Sequence, residues 1–211
     1  MRLILASTSP RRQELLSLLQ IPFEVVAPVF QEDVQLGWSA EDHVQAFARG
    51  KAKSCARRNP EALVLGSDTL IACDGDILGK PADADEAQGM LRRIAGRAHM
   101  IYTAVSLQRD RDGIDDVAIV PVRVWMKLAK EEDIMAYVAT GESLGKAGSY
   151  AIQGEGARLI DRIDGDYPAA VGLPLRAVAT LLTKYGVVGP VDVERLYQTK
   201  PYANWHRFAK D

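Results

Sequence analysis

The sequence predicts an α/β fold, and three observations carry that prediction. Short apolar runs, bounded by small polar residues, recur along the chain and suit strands. Between them lie segments with apolar residues at helical spacing and capping residues at their starts. The 211 residues are 47% hydrophobic and 26% charged, an ordinary globular mixture. That is enough apolar surface for a core without disulfide or metal staples, in one large domain or two small ones.

The elements follow in order. Leu3 to Ala6 is a short buried strand, and Ser9-Pro10 opens a helix in which Ser9 can cap and Pro10 takes the first helical position. Phe23 to Ala27 suits a strand, and Gln31 to Trp38 a polar loop. Ser39-Ala-Glu-Asp42 has the form of a capping box, with Val44, Phe47, Ala48 and Cys55 at helical spacing after it. Leu63 to Leu65 is an apolar strand ending at Gly66-Ser-Asp-Thr69. Asp74-Gly75-Asp76 between Thr69–Cys73 and Ile77-Leu78 predicts a hairpin turn. Asp83 starts a helix with Ala87, Met90, Leu91 and Ile94 on one face. Met100 to Leu107 and Val117 to Leu128 are long strands joined by a charged turn. Glu131 to Thr140 is helical, 145–165 is glycine-rich and irregular, and Pro174 to Tyr185 is the last strong helix. Residues 1–186 therefore make the folded domain, and 187–211 a loosely attached tail.

Lys and Arg number 26 against 28 Asp and Glu, a net charge of −2. A chain so balanced is a poor nucleic-acid coat or polybasic membrane binder, but can hold one cationic pocket. Cys55 and Cys73 form no CxxC pair, which excludes a zinc site or disulfide framework and points to a reducing cytosol. The apolar run at the N-terminus is too short for a signal peptide, and no stretch nears the ~20 apolar residues of a membrane span.

Two phosphate-loop lookalikes fail. Gly141 to Ala147 has three residues between its glycines and no magnesium-binding hydroxyl, and Gly154 to Leu159 lacks the third glycine. Ser7-Thr-Ser-Pro-Arg-Arg12 is more informative. A strand end delivers hydroxyls and free helix N–H groups to one place, with two guanidiniums added. Cations are disfavoured at the positive end of a helix unless an anion sits there, and phosphate is the natural one. Asp68 follows an apolar strand in a mostly buried neighbourhood, where a carboxylate needs a partner, a metal or a chemical task. Glu32 and Asp33 alone suit a solvated loop. Lys51 lies at the edge of an apolar helix face, where lysine usually snorkels, and Lys80 is framed by Gly79 and Pro81. His43, His99 and His206 show no ligand spacing, and His99 suits a structural role.

Taken together these segments resemble the Maf family of nucleoside triphosphate pyrophosphatases. The segments that carry the resemblance are Leu5 to Arg12 with Glu14-Leu-Leu16, Leu65 to Thr69, Gly79-Lys-Pro81, Gly96 to His99, Lys146 to Tyr150 with Gln153-Gly154, and Val171 to Leu175. They occur in the family order over residues 3–185. Arg11, Thr69 and Gln153 match the selectivity positions of the branch acting on dTTP and UTP. The chain departs from the pattern at Gly145, where an aspartate is common, at Ala104, and at Ala169-Ala170.

The resemblance implies a mixed, strongly twisted sheet flanked by helices, two lobes with a cleft between, and a possible homodimer. It implies hydrolysis of a nucleoside triphosphate between the α and β phosphates in the cytoplasm, with a divalent cation, Mg2+ or Mn2+. Asp68 would be the proton acceptor for the attacking water, and Glu32 with Asp68 would hold metal. Arg12, Lys51 and Lys80 would clamp the triphosphate, with Ser7 and Ser9 adding hydrogen bonds. The alternative is a nucleotide-binding regulator of septum formation that does not depend on turnover. A binder of nucleic-acid polymers or membranes is not expected.

Overall fold

Seven strands form one mixed sheet in the computed structural model, which describes residues 1–208. In chain order the elements are β1 (Leu3–Ala6), α1 (Pro10–Ser17), β2 (Glu24–Val25), α2 (Ala40–Ala56), β3 (Leu63–Cys73), β4 (Asp76–Leu78), α3 (Ala84–Ile94), β5 (Ala98–Arg109), β6 (Ile114–Met126), α4 (Glu131–Val138), β7 (Ile160–Asp164), α5 (Tyr167–Val171), α6 (Leu175–Lys184), α7 (Val193–Thr199) and α8 (Trp205–Phe208). The strand order is β2-β1-β3-β5-β6-β7, with β4 paired to β3. β1 runs parallel to β2 and β3, while β3–β4 and β6–β7 are antiparallel. The α/β class is therefore as the sequence predicts. No helix among the described residues is long and apolar enough to cross a membrane.

The chain divides into two compact units. The first holds Met1–Thr69, Thr103–Val120 and Gly172–Lys200, and the second Leu70–Tyr102, Pro121–Val171 and the chain from Pro201. In the first unit the four residues of β1 are all buried, and Ile4 and Ala6 pack with Ala52, Cys55, Ala56, Ala62 and Val64. The predicted capping box starts α2: the Ser39 hydroxyl accepts from Asp42 N, and the Asp42 carboxylate accepts from Ser39 N. In the second unit Asp74 and Gly75 turn the β3–β4 hairpin with φ of 52° and 87°, the positive values a two-residue hairpin requires. Asp83 caps α3 by accepting from Glu86 N. Both cysteines are free and buried.

Four local expectations need correction. β3 does not stop at Leu65; it continues through Gly66-Ser-Asp-Thr69 to Cys73, because β1 pairs as far as Gly66 and β4 takes up Ile71 to Cys73. Asp68 is thus a strand residue, not a turn residue. Ser9 makes no side-chain cap bond; its own N–H instead donates to the Ser7 hydroxyl at 3.1 Å. The irregular stretch 145–165 contains β7, paired to β6 across Val124 and Ile163. Within 187–208 lie two helices, and Trp205 and Phe208 are buried against Tyr167. Their aromatic rings had no apolar periodicity around them to announce a packed segment. The last three residues lie outside the described chain.

Candidate active site

In the first unit the site is built by one close approach. A side chain at Gly66 would place its Cβ 2.5 Å from the Ala48 carbonyl and 2.7 Å from Ala52 N. Glycine there lets the α2 backbone lie directly on β3. Lys51, on the turn between Ala48 and Ala52, is thereby delivered to Asp68. Its ammonium contacts Asp68 Oδ1 and also Glu32 Oε1, the latter at 2.5 Å. The lysine is buried, so it is an ion-pair centre and not the snorkelling edge residue that its helical position suggests.

Glu32 comes from a loop that α2 also holds. His43 on α2 is buried, and its Nε2 accepts from the Gln35 backbone N–H at 2.8 Å, while its Nδ1 lies 2.8 Å from the Ser39 carbonyl. That pair of contacts fixes the tautomer: Nδ1 carries the proton. The loop is therefore anchored three residues beyond Glu32. The sequence shows the histidine but not this task.

Asp68 is 4% exposed. Burial pushes its carboxyl above the ordinary aspartate range; Lys51 and Arg12 pull the other way, and Glu32 adds to the rise. Its Oδ2 is buried and has no hydrogen-bond partner among the described residues.

Arg12 on α1 is fixed by backbone. Its Nε donates to the Gly172 carbonyl at 3.0 Å and its Nη2 to Thr69 Oγ1 at 3.3 Å. The Ser67 hydroxyl donates to the same Gly172 carbonyl at 3.0 Å. Gly172 has φ of +131°, a conformation open to glycine and strained for other residues. Thr69 in turn lies 2.9 Å from the Thr103 hydroxyl. Burial lowers the Arg12 guanidinium below its ordinary value, partly offset by Asp68, but a guanidinium stays charged. The first turn of α1 holds no acidic residue, so Arg11 and Arg12 add positive charge at its positive end. Ser67, Thr103 and Gly172 were not singled out as site residues; their contacts span up to 160 residues of sequence.

Asp68 and Glu32 offer hard oxygen donors, and Asp68 Oδ2 is an unsatisfied one. That pair of hard oxygen donors fits a divalent cation such as Mg2+ or Mn2+. Among the described residues no group of three or more His, Cys, Asp or Glu forms a metal cage on its own.

The second unit holds Lys80 and Gln153. Lys80 is exposed, and the Gly79 carbonyl before it accepts from Gly148 N at 3.0 Å. Gln153 is half-buried, with its side-chain oxygen buried and without a partner among the described residues. His99, as expected, is a buried packing residue: Nε2 lies 2.6 Å from the Tyr150 hydroxyl and burial depresses its pKa to about 4. Neither rejected phosphate loop leads into an α-helix; residues 147–149 and 155–159 are 3-10 turns.

The Maf-like protein family matches residues 2–185. The chain belongs to the Maf-like family. A Bacillus velezensis protein named dTTP/UTP pyrophosphatase is 44% identical over 186 residues, covering 88% of this chain and 97% of that protein. Proteins of the same name from Geotalea uraniireducens and Methylobacillus flagellatus are 43% and 45% identical, over 88% and 90% of this chain and 96% and 95% of theirs. Among solved structures, one titled "The structure of the Staphylococcus aureus Ham1 protein" aligns with a TM-score of 0.45 at 14% identity, over 62% of this chain and 74% of that one. The Maf-like match ends before α7 and α8, so those helices lie outside the matched region.

Proposed function

We propose that this Maf-like protein hydrolyses dTTP and UTP between the α and β phosphates, releasing the monophosphate and pyrophosphate. One observation carries the reading: a buried Asp68, ion-paired on Oδ1 and with no partner on Oδ2 among the described residues, in a chain whose matched relatives are named dTTP/UTP pyrophosphatases.

Asp68 is the proton acceptor. With Oδ1 held by Lys51, Oδ2 is the atom left to take a proton from the attacking water. Lys51 keeps the carboxylate ionised against the cost of burial and places a positive charge beside the triphosphate. Arg12, held at Nε by the Gly172 carbonyl and at Nη2 by Thr69, presents a pre-set guanidinium face to phosphate oxygens. Ser7, Ser9 and the α1 N-terminus supply hydrogen bonds. Glu32 and Asp68 would hold Mg2+ or Mn2+, which when bound offsets charge developing on the phosphates. Gln153 reads the pyrimidine. A primary amide offers one acceptor and two donors, the complement of the N3–H and O4 of uracil or thymine.

The test is a screen of canonical and modified nucleoside triphosphates with Mg2+ or Mn2+, read by pyrophosphate release. UTP and dTTP should lead. Preference for a purine triphosphate would overturn the substrate assignment.

A further inference from the structure

Gln153 sits in a loop whose flanking peptide groups are held by side chains from two directions. On one side Glu142 accepts from Glu155 N at 3.1 Å and Gly156 N at 2.9 Å. Its carboxylate also accepts from the Tyr137 hydroxyl at 2.9 Å, and that hydroxyl accepts from Ala151 N at 3.1 Å. The approach is so close that a Cβ on Gly154 would meet Glu142 Oε1 at 1.9 Å. Residues 151, 155 and 156 are thus fixed by one carboxylate.

The two carbonyls flanking Gln153 are held from elsewhere. Asn204 Nδ2 donates to the Ile152 carbonyl and to the Gly154 carbonyl, both at 3.2 Å. Two carbonyl acceptors leave no choice of amide orientation, since only the NH2 can donate. Asn204 adopts φ of 61°, a left-handed conformation that asparagine tolerates better than most residues. The segment around it is anchored by aromatic packing. Tyr167 stacks on Trp205 at 5.8 Å and on Phe208 at 6.2 Å, with interplanar angles of 15° and 16°, and its hydroxyl donates to the Ala203 carbonyl.

Asn204 lies beyond the family match, which ends at residue 185. The relatives leave only 3–6% of their own length outside the match, against 12% of this chain, so they have little chain to put where this clamp stands. We propose that the C-terminal segment of this chain is a specificity element in which Asn204 is a positioning residue: by holding the carbonyls of Ile152 and Gly154 it fixes the aim of Gln153 at the base. The proposal rests on the reading of Gln153 as the base-contacting residue. A misaimed amide still meets phosphate chemistry that is intact, so the loss falls on discrimination between bases and not on the hydrolytic step.

The experiment measures kcat/KM for UTP and for CTP in the full chain, in Asn204→Gly, in Gln153→Ala and in the double variant. Asn204→Gly removes the amide and keeps the positive φ accessible; Asn204→Asp, which turns the donor into a carboxylate facing two carbonyls, is the second variant. A ratio of two kcat/KM values cancels the fraction of folded enzyme, so loss of stability alone leaves it unmoved. The UTP:CTP ratio should fall about fivefold or more in both Asn204 variants, as expected for loss of a matched hydrogen bond, because cytosine presents an acceptor at N3 and an amino group where uracil presents N3–H and O4. In the Gln153→Ala background the Asn204→Gly change should have no further effect on that ratio. If Gln153→Ala lowers the ratio and neither Asn204 variant does, the Asn204 inference is wrong and the Gln153 reading stands. If Gln153→Ala itself leaves the ratio at the wild-type value, both fall.

Discussion

Lys51 and Asp68 form a buried ion pair in which the ammonium takes one carboxylate oxygen and leaves the other without a partner among the described residues. Seventeen residues separate them in sequence. The pair exists because Gly66 lets α2 lie on β3, and it gives a carboxylate whose charge is supported while one oxygen is kept for chemistry.

Asp68→Asn preserves the shape and removes the acceptor. Turnover of UTP should fall by at least ~100-fold, the low end for loss of a general base, while nucleotide binding measured by calorimetry persists. Turnover close to wild type would assign the base elsewhere.

The pH profile follows from the direction of the Asp68 shift. The base works ionised, and burial raises its pKa above 3.8. Activity should therefore decline with falling pH sooner than an ordinary aspartate would dictate. Lys51→Met removes a group that lowers this pKa, so the acidic limb of kcat/KM should move to higher pH. A limb that stays in place or moves to lower pH in Lys51→Met contradicts the pairing.

Gly172 should matter through Arg12. Gly172→Ala forces a side chain onto φ of +131°, a strain of roughly 1–3 kcal/mol. The melting temperature should drop and KM for UTP rise, because the carbonyl that holds Arg12 and Ser67 shifts. Arg12→Ala should lower kcat/KM about tenfold or more, in line with loss of a charged hydrogen bond, with a smaller change in melting temperature. Thermal melts beside steady-state kinetics separate the two effects.

His99 gives a stability prediction independent of the site. Its folded pKa of about 4 lies below the ordinary 6.5, so the unfolded chain binds the extra proton in that window. Its contribution to stability is present above pH 6.5 and lost as pH falls toward 4. Denaturant melts of His99→Gln should show a shallower decline of stability between those pH values than wild type. Parallel declines would show that His99 does not stay neutral in the fold.

What could be read in the sequence was local. The Ser39–Asp42 box, the Asp74-Gly75 turn and the Asp83 cap each depend on residues within a few positions, and each stands as expected. Asp68 and Arg12 were visible because a carboxylate after an apolar run, and arginines at a helix start, are costly without a purpose. Lys51 looked like a snorkelling residue because its partners come from β3 and from a separate loop. The anchors of Arg12 at Gly172 and of the Gln153 loop at Asn204 span 160 and about 50 residues, and no local pattern announces such contacts. β3 was cut short because Gly66 and the polar residues after it imitate a turn, whereas the glycine serves helix–strand contact.

The central claim is cleavage of the α–β phosphoanhydride, and the products of UTP hydrolysis test it most directly. Phosphorus NMR of a complete digest with Mg2+ should show UMP and pyrophosphate in equal amounts, with both absent in Asp68→Asn over the same interval. UDP with orthophosphate would place the cut at the β–γ bond and contradict the account.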